Sequence, residues 1–83
     1  MKVHEPTKRP TLAEAQAMVG GYVQLLHISD DEQLLVNEEG RLLNQPVNAE
    51  ASARWPFWGP LVGDVVHLTG DACWRDDNEE ETS

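Results

Sequence analysis

The stretch that decides the fold is LLVNEEGRLLNQPVN, Leu34 to Asn48. Leu34, Leu35 and Val36 continue from Gln33 as a short apolar run of strand character. The Asn37-Glu38-Glu39-Gly40 that follows is polar and ends in glycine, a turn signal. Glu38 to Gly40 are expected to reverse the chain tightly, with positive φ available to the glycine. Arg41 to Leu43 then reads as a third short strand, and Asn44 to Pro46 as a loop. Asn48 has a side chain suited to accept from the first turn of a helix, and Ala49 to Arg54 (AEASAR) supplies that helix.

Upstream, Thr11 and Glu14 have capping-box spacing, so a helix opens at Thr11. Leu12, Ala15, Met18 and Val19 share one of its faces, and Gly20-Gly21 end it. Tyr22 to Ile28 reads as a strand with apolar groups on both faces, which predicts a central place in the sheet. Ser29 to Glu32 is a polar turn, so helix and three-stranded meander follow one another. Downstream, Trp55 to Pro60 (WPFWGP) holds two prolines and a glycine and is expected to be irregular. Leu61 to Leu68 forms the last strand, bent at Gly63-Asp64. The predicted class is α+β: one N-terminal helix packed on a small, mostly antiparallel sheet of about three to five strands, with a short second helix and an irregular aromatic loop. Residues 1–10 form an arm or edge strand, 11–74 a single domain, and 75–83 a disordered acidic tail.

Charge and size narrow the function. The chain has 83 residues and a net charge of −9, five units of it from Asp76, Asp77, Glu79, Glu80 and Glu81. An acidic surface disfavours nonspecific nucleic-acid binding, which needs Lys and Arg to displace counterions. No apolar stretch reaches membrane-spanning length and no signal pattern opens the chain, so a soluble, cytoplasmic protein is expected. Cys73 is the one cysteine, which fits a reducing compartment. A core this small supplies about 3–5 kcal/mol, so a homodimer or a partner is a natural source of further stability.

Three segments taken in order, PTLAEAQAMVGGYVQLL (10–26), LVNEEGRLLNQPVNAEASA (35–53) and GPLVGDVVHLTGD (59–71), carry a resemblance. The chain resembles a family of small proteins carried by bacteriophages, plasmids and other bacterial mobile elements, known as a domain of unknown function. The resemblance implies a mobile-element setting, the host-cell cytoplasm and an accessory role, without a chemistry. The WPFW segment and the acidic tail depart from the family pattern.

The residues that bear chemistry do not assemble into a catalytic or metal-binding motif. His4, His27 and His67 lack two-ligand spacing, although His27 and His67 each fall in a strand and have the option of meeting across the sheet. Cys73 sits beside Trp74 and an acidic tail, without a base to activate it. Glu38 and Glu39, like Asp30, Asp31 and Glu32, read as solvated turn carboxylates, and Gly20-Gly21 as a helix cap. Trp55, Phe57 and Trp58, stiffened by Pro56 and Pro60, have two open roles: a lid on the core, or a partner-binding surface. Arg54 beside them suits a stacked ring or an anion.

The leading expectation is a non-enzymatic inhibitor or adaptor, without cofactor or metal, that binds a host protein. Its target would be a nucleic-acid-binding defence factor. Trp55, Phe57, Trp58 and Arg54 would anchor it, and Asp30, Asp31, Glu32, Glu38 and Glu39 would supply charge. The alternative is an oligomeric binder that sequesters a nucleotide signal, its aromatics stacking the base and Arg54 or Arg41 meeting phosphate.

Overall fold

The computed structural model describes residues 2–40 and 43–74. The acidic tail and Arg41-Leu42 lie outside them. Four strands form one mixed sheet: β1 (Val3–His4), β2 (Val23–Ser29), β3 (Glu32–Asn37) and β4 (Val65–Thr69), in spatial order β1-β4-β3-β2. β3 is antiparallel to both its neighbours, with Leu35 opposite Leu25 on one side and Val66 on the other. β1 runs parallel to β4, Val3 opposite Val65. Two backbone bonds set the phase of the pairing. The Glu38 N–H donates to the Tyr22 carbonyl at 2.8 Å, and the Gly70 N–H to the Asp31 carbonyl at 2.9 Å. Even-numbered residues of β3 therefore bond to β2 and odd-numbered ones to β4.

The same alternation sorts side chains to two faces. On one, Leu35, Val66 and Leu68 pack under helix α1 (Leu12–Val19) through Ala15 and Val19, with Val23 and Leu25 alongside. On the other, Leu34, Val36 and Val65 pack under Ala51 of helix α2 (Ala49–Arg54), Trp55 and Leu61, with Leu26 and Ile28 alongside. The sheet is thus covered on both faces. Leu34, Leu35, Val65, Val66 and Leu68 are wholly buried, each contributing about 1.5–3 kcal/mol by transfer out of water.

Both helices begin where the sequence places them. The Thr11 hydroxyl accepts from the Glu14 N–H at 3.1 Å, and the Glu14 carboxylate accepts from the Thr11 N–H at 2.9 Å. Gly20 closes the helix at φ 81°. Asn48 does more than cap α2. Its Oδ1 accepts from the Ala51 N–H at 3.0 Å, while its Nδ2 donates to the carbonyls of Lys2 and Gly63 at 2.9 and 2.8 Å. A fully buried amide thereby ties α2, the strand-forming N-terminus and the bend before β4 together.

Four expectations are corrected. Among the described residues β2 is an edge strand: it has apolar groups on both faces because both faces of the sheet are covered, not because it has two neighbours. Of the expected third strand, Arg41 and Leu42 lie outside the described residues, and Leu43 lies in a turn. Gly40 does not have positive φ. A Cβ there would lie 2.7 Å from Val62 Cγ2 and 3.0 Å from Gln45 Oε1, so the position needs a glycine for close approach. Finally, the aromatic loop contains a regular 3-10 turn, Pro56–Trp58.

Candidate partner-binding face

α2 delivers Arg54 and Trp55 to the sheet face opposite α1. Trp55 is buried, and its ring lies 4.8 Å from that of His67 on β4, tilted by 56°. The Arg54 guanidinium carbon sits 4.5 Å from the Trp55 centroid, a stacked cation on a core ring. Arg54 Nη2 donates to Glu5 Oε2 at 3.0 Å, and Nη1 to Glu50 Oε2 at 3.4 Å, one helical turn back. The same Glu5 oxygen is 3.1 Å from His67 Nδ1, and Glu32 Oε2 is 2.7 Å from His67 Nε2. Carboxylates only accept, so the ring donates to both when each nitrogen carries a proton.

This network clamps its members together. The hydrogen bond from His67, and after it the one from Arg54, hold the Glu5 carboxyl below the ordinary carboxylate range. Glu5 is half exposed, so the pairing sits in water and contributes little net stability. Both His67 nitrogens face carboxylates on opposite sides of the ring. Among the described residues no set of three His, Cys, Asp or Glu side chains converges on a metal position.

The aromatic loop divides its roles residue by residue. Trp55 is lid, at 5% exposure; Phe57 is presented to solvent at 69%; Trp58 is half-buried against the core and lies 5.4 Å from Phe57. The 3-10 turn is closed by the Gly59 N–H donating to the Pro56 carbonyl at 3.0 Å. Phe57 is thus held out on a short turn whose two flanking tryptophans are anchored.

The acidic turns do not form one patch. Asp30 and Asp31 lie exposed at the β2–β3 turn, near Glu32 and the Arg54 network. Glu38 and Glu39 lie exposed at the other end of β3, about 20 Å away along a six-residue strand. His27 and His67 do not meet: His27 pairs with Gln33 on the α1 face, and His67 with Leu34 on the other. Cys73 is wholly buried, its thiol donating to the Leu68 carbonyl at 3.5 Å. A hollow of about 350 Å³ beside Trp58 is lined by Leu26, Val36, Pro60 and Leu61, with Gln24 and Glu38 among its polar walls. Glu38 is the one charged residue lining it among those described. Sequence reasoning missed Glu5 and the role of His67. The one local signal was the Glu50–Arg54 spacing of four.

The profile of the family described as Domain of unknown function (DUF3846) matches residues 2–83. The chain belongs to this family. The match runs through the WPFW loop, so the aromatic face lies within the DUF3846 domain and is not an appendage to it. Neither a curated protein nor a solved structure matches the chain. Among the described residues of this DUF3846 domain, no helix is long and apolar enough to cross a membrane.

Proposed function

We propose that this DUF3846 domain is a non-enzymatic inhibitor or adaptor that acts by binding a host protein. The observation that carries the reading is the presentation of Phe57: an aromatic ring 69% exposed, on a turn pinned by buried Trp55 and half-buried Trp58. A pre-positioned ring offers contact area at little entropic cost, the character of an interface anchor. Arg54 beside it adds a guanidinium that is more than a third exposed, and Asp30 and Asp31 add acidic groups at the same end of the sheet as the Arg54 network. Acidity of this kind suits a partner with a basic, nucleic-acid-binding surface and would speed its capture at low salt. A mobile-element setting, a cytoplasmic location and an anti-defence role belong to the same proposal.

The anchor assignment moves from the two tryptophans to Phe57, because Trp55 serves the core. Native mass spectrometry of tagged protein recovered gently from its own host cells tests the reading. Wild type is expected to bring down a stable protein complex, and Phe57→Ala to lose it without losing the fold. Full retention by both Phe57→Ala and Arg54→Ala would remove the anchor.

The small-molecule reading has one observation in its favour, the hollow beside Trp58, whose volume is within the range of ligand pockets. An anionic nucleotide is a poor occupant. The charged wall described there is Glu38, and Arg54 is engaged with Glu5 and Glu50. An added mass of a few hundred daltons, on the order of one pocket's content, in the same spectra would favour this alternative.

A further inference from the structure

Among the described residues, the outer edge of β2 has no neighbouring strand. Because the Tyr22 carbonyl accepts from Glu38, residues 22, 24 and 26 turn their backbone groups towards β3. Val23, Leu25 and His27 therefore point both N–H and C=O away from the sheet, and no described residue meets them. Edges of this kind are normally defended by charge, proline, a bulge or a covering element. Residues 22–29 contain no Lys, Arg, Asp, Glu or Pro. The pairing irregularity between His27 and Ser29 falls beyond the three open residues. Helix α1 packs mainly on β3 and β4, which leaves Val23 and Leu25 half-buried on its side and Leu26 and Ile28 half-buried on the other. Tyr22, at the start of the strand, is 65% exposed.

We propose that this edge pairs with the same edge of a second copy of the chain, antiparallel, about a two-fold axis at Leu25. That register places Leu25 opposite Leu25 and Val23 opposite His27, so the three outward residues of each copy exchange all their N–H and C=O groups. The result is one continuous sheet in the order β1-β4-β3-β2-β2-β3-β4-β1. On the α1 face the half-buried Leu25 side chains meet. On the other face Gln24 lies beside Leu26 of the second copy, and the exposed Tyr22 ring covers Ile28.

A second copy suits the edge because the strand is self-complementary about Leu25 and carries no charge. The net acidity of two copies still repels, but no like charges meet in the seam itself. In the proposed register Asp30 of one copy faces residue 20 of the other. The two Asp30–Asp31 turns are then about 33 Å apart along the strand direction. Glu38, just past the end of β3 and bonded through its N–H to the inner side of Tyr22, stays out of the seam. A seven-residue strand pair buries less than the roughly 1,200 Å² of a standard interface, so the dimer is concentration-dependent. The inference rests on the sheet edge and not on the Phe57 reading.

Sedimentation velocity and amide hydrogen exchange by NMR on the full chain, from about 10 μM to about 1 mM, test it together. A dimer is expected to form while the Val23, Leu25 and His27 amides slow by roughly tenfold or more, with Gln24 and Leu26 unchanged. His27→Pro removes an outward N–H at an exposed edge position where proline is tolerated, and is expected to give a folded monomer. A monomer at every concentration overturns the proposal. So does a dimer without the alternating protection, or a folded His27→Pro chain that dimerises like wild type. If that variant fails to fold, the exchange pattern of the wild-type chain decides alone. Protection of the same three amides only on adding another protein also overturns it, assigning the edge to that protein.

Discussion

The guanidinium carbon of Arg54 lies 4.5 Å from the centroid of a Trp55 ring that is itself buried. A surface cation and a core aromatic thus form one unit, with the charged side facing Glu5 and Glu50 and the ring facing the sheet. Removing the two halves has unlike consequences. Trp55→Ala empties a core site at a cost of about 3–5 kcal/mol, comparable with everything a core this size supplies. That variant is expected to lose cooperative thermal unfolding. Arg54→Ala removes exposed pairs and is expected to cost about 1 kcal/mol or less, read as a small shift in urea midpoint.

Phe57→Ala is the clean functional probe. The ring is mostly in water, so stability is expected to stay within about 0.5 kcal/mol of wild type. Binding of the host partner is expected to fall by roughly 2 kcal/mol or more, as for an interface anchor. Calorimetry on the recovered partner, beside thermal melts of both proteins, separates the two effects.

Asn48→Ala should be the most damaging small substitution. It takes the side-chain partner from the Gly63 carbonyl and the Ala51 N–H, and one of two donors from the Lys2 carbonyl, which keeps the Val65 N–H. Loss of a cap together with buried donor bonds is expected to cost about 2–3 kcal/mol. In a domain this size that lowers the melting temperature by about 8–24 °C, measurable by circular dichroism.

Gly40→Ala tests close packing and not turn conformation. The new methyl would meet Val62 Cγ2 at 2.7 Å and Gln45 Oε1 at 3.0 Å, so the Val62 side chain or the 47–62 bridge that carries it must shift. A cost of about 1–3 kcal/mol is expected. A neutral result in equilibrium unfolding would mean that the bridge yields freely.

Two partly exposed carboxylates give a small, acid-sensitive part of the stability. Glu5 is held low by His67 and then Arg54, and Asp64 by His4, with partial burial of Asp64 opposing the effect. A depressed folded-state pKa means that the unfolded chain binds protons more readily. The stability these groups contribute is therefore complete above the ordinary carboxylate range and is lost as pH falls through their lowered folded values. Urea unfolding from about pH 6 to about pH 3 is expected to show a shallower acid loss in the Glu5→Gln, Asp64→Asn double variant than in wild type. Equal slopes would place the acid sensitivity elsewhere.

The parts of the fold that could be read from the sequence are those written locally. Thr11 with Glu14, Gly20 and Asn48 are caps whose partners lie within four residues, so spacing suffices to find them. Strand order is not local. Tyr22–Ile28 has the apolar content of an inner strand, and the reason, a second covering layer from α2 and Trp55, lies more than twenty residues downstream. The candidate site was half legible. Arg54, Trp55, Phe57 and Trp58 stand together in the chain, whereas Glu5 and Glu32 reach His67 across separations of 62 and 35 positions. Only the parallel pairing of β1 with β4 brings position 5 beside position 67, and a two-residue strand leaves almost no periodicity to find.

That parallel pairing also sets an order of events during synthesis. Val3 and His4, made first, have no sheet neighbour until residues 65 and 66 emerge, and the Asn48 amide waits for Gly63. β3 is likewise unpaired on one side until β4 appears. β2 and β3 can pair once residue 38 is made, but a lone two-stranded hairpin is marginal in water, so the domain should acquire its stable structure late, after β4 emerges. A chain stopped at residue 64 has the caps of both α-helices and yet lacks β4, the strand on which β1 and one side of β3 close.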